Sequence, residues 1–181
     1  CHTPTRYLWS DAHQYLNELK YNKWMKKIIS VMAVALLLMF SMVCRANVSN
    51  DNQVSLGGIT PGCSGDYVIQ VYGTPDREVT RYADGMTLTT YYYGSTVQVA
   101  VFSNNKTVHH IHSTGNNGFY TPDGLGVGMS VETVYRLYGR DGFSFNHDGV
   151  RYIEYGKAGG NALTVGIKNG RVVSINCSLY E

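Results

Sequence analysis

The amino-acid sequence predicts an α+β protein of two tandem repeats, each a short helical segment plus about four antiparallel strands, joined in one sheet with helices on one face. Three observations predict it. The phrase "GCSGDYVIQVYGTPD" (62–76) returns as "GMSVETVYRLYGRD" (128–141), 66 positions on. Each copy is followed by alternating runs rich in β-branched and aromatic residues. Turn dipeptides punctuate those runs: Asp84-Gly85 and Asn104-Asn105 in the first copy, Asp148-Gly149 and Asn169-Gly170 in the second. Asp-Gly and Asn-Gly signal hairpins, because a tight two-residue turn needs positive φ at both central positions. Units this small bury little surface alone and should pack as one body.

Each element has its own signal. Ser64 and Ser130 are expected N-caps, with Asp66 and Glu132 in the first turn where the helix dipole favours an acid. Val68, Val71 and Tyr72 fall at i, i+3 and i+4, the spacing of one apolar helical stripe. Gly73 and Gly139 suit a left-handed C-terminal position, and Pro75 stops the first helix. "EVTRYADGMTLTTYYYG" and "FSFNHDGVRYIEYG" then read as hairpins, followed by "TVQVAVFSNNKTVHHIHS" and "ALTVGIKNGRVVSINC". The first repeat spans 47–119 and the second 120–181.

Strand alternation assigns faces. Ile111 aligns with Ile175, His109 with Val173 and Ser113 with Cys177; this row is expected to face the helices. Val108, His110 and His112 then point the other way, with Val172, Ser174 and Asn176. Tyr93 aligns with Tyr155 as core, which leaves Tyr92, Tyr152 and Glu154 on the opposite face. Tyrosine offers contact area at low entropy cost and a hydrogen-bonding tip. Tyr92, Tyr152, Glu154, Val108, His110 and His112 are therefore the expected partner-binding set.

Residues 25–46, "MKKIISVMAVALLLMFSMVCRA", have the layout of a secretory signal peptide: Lys26 and Lys27, the apolar run Ile28 to Val43, then small Ala46. The run is short for a bilayer span, which needs about 20 apolar residues. A lipid on Cys44 is disfavoured by bulky Val43 just before it. Residues 1–24 precede this leader and read as an upstream extension outside the native protein. The mature chain would start at Asn47, carry three Lys and six Arg against eleven Asp and Glu, and be secreted or lie in the periplasm or cell envelope without membrane insertion. Such a balance gives no nucleic-acid footprint.

An exported chain with two remaining cysteines reads as one Cys63–Cys177 bridge, the alternative being two unrelated buried thiols. His110 and His112 supply only two of the ligands a metal centre needs, so neither metal nor cofactor is expected. Cys63 at a helix start could serve a small cysteine-dependent enzyme, but no orienting base accompanies it. "GLGVGM" (124–129) follows no strand of a nucleotide-binding unit.

The G-x-S-x-x-x-V-x-x-x-x-G helix, the Y-Y-G strand and the V-x-x-I strand, duplicated behind a leader, resemble the β-lactamase inhibitor protein fold. They are also similar to the small outer-membrane-assembly lipoproteins of the BamE/SmpA type. The resemblance covers roughly 56–177 and rests on structural motifs. It implies a continuous concave sheet that grips another protein; no inhibitory loop can be matched. The function expected is an exported, non-enzymatic protein-binding module, and the alternative is a cell-envelope assembly or maintenance factor held near the membrane.

Overall fold

Capping serines and terminal glycines define the two helices of this computed structural model, which describes residues 54–83, 85–156 and 159–179. The leader and the upstream segment lie outside those residues. Helix α1 is Gly65–Tyr72 and α2 is Val131–Tyr138. The Ser64 hydroxyl accepts from the Asp66 N–H at 3.1 Å, and Ser130 accepts from the Thr133 N–H at 3.3 Å. Both helices end on glycines with φ near 80° but ψ close to 180°, Gly73 (80°, −171°) and Gly139 (83°, −176°). This extended, positive-φ region is essentially closed to other residues, so glycine is needed although the cap is not the expected left-handed one.

The face of α1 against the sheet also differs from expectation. Val68 is fully buried, whereas Val71 is 46% exposed. The packing line runs Gly65, Val68, Ile69, Tyr72, and Val71 lies about 110° round the helix from its centre.

Four strands follow α1, namely β1 (Arg77–Ala83), β2 (Met86–Tyr93), β3 (Val97–Phe102) and β4 (Val108–Ser113), and four follow α2, namely β5 (Phe143–His147), β6 (Val150–Gly156), β7 (Asn161–Lys168) and β8 (Arg171–Leu179). The second-copy turn dipeptides behave as expected, with positive φ at Asp148 (49°) and Gly149 (73°), and at Asn169 (51°) and Gly170 (71°), whereas the β3–β4 turn puts its positive φ at Lys106 (58°) and not at Asn104 or Asn105. All eight strands join one antiparallel sheet in the order β1-β2-β3-β4-β8-β7-β6-β5.

That topology corrects the expected fold class. Among the described residues the protein is mostly a single eight-stranded antiparallel sheet with two short helices, not an α+β assembly of two helix-plus-four-strand repeats. The physical reason is the junction at its middle. His110, Ile111, His112 and Ser113 of β4 pair with Ser178, Cys177, Asn176 and Ile175 of β8, so the ladder never breaks. One core cluster draws on the six inner strands, β2 to β4 and β6 to β8, and on both helices, through Val68, Tyr91, Val99, Ile111, Val134, Tyr138, Ile153, Leu163, Val165 and Ile175. Loop residues Val54, Leu56, Ile59 and Leu125 complete it. The sheet, and no smaller segment, is the unit that buries surface.

Two β-bulges break strict alternation. Between Ala100 and Val101 the partner on β4 jumps from His110 to Val108; between Gly166 and Ile167 the partner on β8 jumps from Ser174 to Val172. Each jump leaves one extra residue, His109 or Val173, and flips what precedes it to the other face. Val108 (0% exposed) and Val172 (1%) therefore enter the helix-side core. Val108 is thus removed from the expected partner-binding set. Sequence alternation alone had placed both valines on the wrong side.

Candidate functional site

Strand pairing assembles the face opposite the helices from residues far apart in the chain. One cross-strand line runs Arg77, Tyr92, Gln98, His112, Asn176, Thr164, Glu154, Phe143, one residue from each strand. His110 lies on the neighbouring line between Ala100 and Ser178, and Tyr152 lies between Phe145 and Gly166. Of the six residues expected to share a face, Tyr92, His110, His112, Tyr152 and Glu154 do so, and Val108 does not. All five are half-buried.

At the β1 end, the Arg77 guanidinium sits 3.9 Å from the centroid of the Tyr92 ring. Such a contact fixes a side chain at the cost of little entropy and contributes about 0.5–1 kcal/mol at an exposed site. At the β5 end, Phe145 stacks on Tyr152 with centroids 5.3 Å apart, and Phe143 follows at 6.1 Å from Phe145. Phe143 is 69% exposed and Phe145 40%. These two phenylalanines belong to the same surface and were not among the expected contact residues. Their signal was the alternation in "FSF", which puts both on the face of Tyr152.

The centre of the face is histidine-rich. The bulge carries His109 across to stand beside His110, with Nδ1 atoms 2.8 Å apart and ring planes at 79°. Phe102 meets His109 edge-on at 5.2 Å. Burial pushes the His110 imidazolium down to about 4, with His109 and His112 adding unfavourable charge. Burial also lowers His112. Both rings are thus neutral donors and acceptors at neutral pH. Among the described residues no group of three or more His, Cys, Asp or Glu is arranged to hold a metal ion.

The expected Cys63–Cys177 bridge is absent: both thiols are free. Cys177 is fully buried in β8 between Ile111 and Leu163 of the adjoining strands, while Cys63 is tied by backbone bonds to Val108 at the edge of the core. Burial drives the Cys177 thiol up to about 12 and raises Cys63 as well. Thiols so shifted are poor nucleophiles at neutral pH, because attack requires the thiolate.

No helix among the described residues is long and apolar enough to cross a membrane. No protein-family model matches the chain. No curated protein matches it either. Solved structures do match. A cysteine-rich secretory protein from Staphylococcus aureus shares 16% identity with a TM-score of 0.50, over 74% of this chain and 49% of that one. A DUF4309 family protein from Bacillus subtilis shares 16% identity (TM-score 0.44; 67% of this chain, 82% of that one). An extracellular protein containing an SCP domain from Bacillus anthracis shares 15% identity (TM-score 0.43; 65% and 43%). The chain spans about half the length of the staphylococcal protein, and at this identity the likeness is one of fold. These neighbours replace the expected kinship with β-lactamase inhibitor protein and the BamE/SmpA lipoproteins. The motifs behind that resemblance are caps and turns, which any chain of short helices and hairpins requires.

Proposed function

We propose that this protein is an exported, non-enzymatic protein-binding module that recognises its partner through the sheet face opposite the helices. The observation that carries the reading is the eight-residue line from Arg77 to Phe143, which mixes aromatic and hydrogen-bonding side chains across every strand. Aromatic anchors beside polar groups are the composition of recognition surfaces, where charged residues are sparse at the centre and Tyr is enriched. Export is supported by the leader at 25–46 and by the fold shared with a secretory protein. A cysteine-dependent enzyme has less support, since both thiols are held protonated.

The test compares three baits on culture fluid and envelope extract: wild type, Tyr92→Ala/Tyr152→Ala, and Tyr67→Ala. Tyr67 is 45% exposed on α1 and controls for loss of any surface tyrosine. A specific partner should be retained by wild type and Tyr67→Ala, and fall at least tenfold with the double variant. Equal recovery by all three baits removes the proposed face.

A further inference from the structure

The two edges of the sheet are protected unequally. β1 closes one side and β5 the other. An edge strand presents unpaired N–H and C=O groups, and charged side chains along it discourage another strand from adding. β1 carries Arg77, Glu78 and Arg81, whereas β5, Phe-Ser-Phe-Asn-His, has no Asp, Glu, Lys or Arg and is exposed along its whole length. The turn fixes which of its backbone groups face outward. Asp148 and Gly149 both have positive φ, the two-residue hairpin turn in which the flanking residues His147 and Val150 bond each other. Hydrogen bonding alternates along an antiparallel pair. His147, Phe145 and Phe143 therefore bond β6, and Ser144 and Asn146 turn their N–H and C=O groups away from the sheet.

We propose that β5 pairs with β5 of a second copy of this chain, antiparallel and about a two-fold axis through Phe145, so that the sheet continues from one molecule into the other. The strand is its own complement in this register. Ser144 and Asn146 are equidistant from Phe145, so each lies opposite the other across the axis, and the outward N–H and C=O groups of both strands are all consumed. On the face opposite the helices, Phe145 meets Phe145 of the second copy as a non-hydrogen-bonded pair, in which side chains approach most closely. Phe143, 69% exposed, is covered by His147 of the second copy. Phe145 already stacks on Tyr152 at 5.3 Å, so the two stacks join into one aromatic row across the axis. Asp148 falls opposite Gly142 of the second copy, and no like charges stand directly opposite each other. Such an isologous pairing uses up the one uncharged edge of each molecule and closes as a dimer. A contact made by one short strand is small, which sets dissociation in the micromolar range. This inference does not depend on the protein-binding reading, and either can fail without the other.

The experiment is sedimentation velocity of the full chain over a dilution series, beside Asn146→Pro and Tyr82→Ser. Wild type should pass from monomer to dimer as concentration rises. Asn146→Pro removes an outward N–H and leaves the β6 pairing intact, since an edge strand tolerates proline where its nitrogen faces solvent. It should raise the dissociation constant at least tenfold. Tyr82→Ser, at a 75% exposed position of β1, should leave it unchanged. Phe145→Cys in a Cys63→Ser background reads the register without a proline. Mild oxidation should link residue 145 to residue 145 of the second copy, found by peptide mass spectrometry, and faster than Ser144→Cys links to itself. Wild type that stays monomeric throughout overturns the proposal and leaves this edge to a strand of another protein or to none. A dimer unaffected by Asn146→Pro, or cross-linked no faster at 145 than at 144, also overturns it, the association then running through another surface.

Discussion

The bulge in β4, opposite Ala100 and Val101, and the bulge in β8, opposite Gly166 and Ile167, turn a valine into the core at the corresponding point of each strand, Val108 in one and Val172 in the other. What they present on the other face differs. In β4 the displaced residues are His109 and His110, over the small side chain of Ala100; in β8 they are Val173 and Ser174, over Gly166. The backbone device belongs to the fold, because both valines are needed inside. The chemistry belongs to one side only. A β-bulge thus lets one strand serve packing and display separately, since the shift decouples the residues before it from those after it.

The comparison can be broken most strongly with pH. His110 has its folded value lowered to about 4 from an ordinary 6.5, chiefly by burial. Between those values the unfolded chain binds more protons than the folded one, so stability rises with pH across the window. It is complete above about pH 6.5 and is lost as pH falls toward 4. The loss attributable to this group is about 3 kcal/mol, from roughly 1.4 kcal/mol per pH unit. Urea unfolding in chelator-containing buffer at pH 7.5 and 4.5 should show it for wild type, and His110→Gln should flatten most of the difference. Ser174→Ala, at the matching position of β8, should leave the wild-type slope unchanged.

Val108→Ala and Val172→Ala test what the two bulges share. Each removes buried methyl groups from the same core, and each should cost about 2 kcal/mol, seen as a lower midpoint in urea with an unchanged slope. If Val108 pointed outward, as alternation suggested, its truncation would cost under about 0.5 kcal/mol. The smallest effect concerns the strand opposite. A Cβ on Gly166 would collide with the Ser174 hydroxyl oxygen and crowd Tyr152, so Gly166→Ala should cost about 1–2 kcal/mol by thermal melting. Adding Ser174→Ala should recover part of that loss. The β4 bulge already tolerates Ala100 in the equivalent place, opposite His110.

These residues also show what the sequence made legible. Caps and turns were readable because each rests on local chemistry: Ser64 and Ser130 accept hydrogen bonds, and Asp148-Gly149 and Asn169-Gly170 adopt positive φ. Tyr92, Tyr152 and Glu154 were placed correctly because β2 and β6 keep strict alternation through them. Val108 and Val172 were not, because a bulge is set by the partner strand. A trace of it was present nonetheless: Val108, Ile111 and Ser113, like Val172, Ile175 and Cys177, are spaced by three and then two, which no regular strand buries on one side. The fold class was misjudged for a related reason. Similar phrases at 62–76 and 128–141 suggested two helix-plus-four-strand repeats, but the β4–β8 pairing that runs one ladder through all eight strands is a long-range contact with no local signature. The free thiols belong here too, since Cys63 and Cys177 are each placed by neighbours that their own sequence context does not reveal.

The position of β8 has a consequence for the order of events during synthesis. This strand lies at the centre of the sheet yet is the last of the eight to be translated. While β1 to β4 leave the ribosome, the inner edge of β4 has no neighbour, and the core residues Ile175 and Cys177 do not yet exist. Closing that gap joins segments some sixty residues apart, which makes it a late and slow step. The sheet therefore stays open along β4 until β8 has been made, and no earlier strand takes its place there.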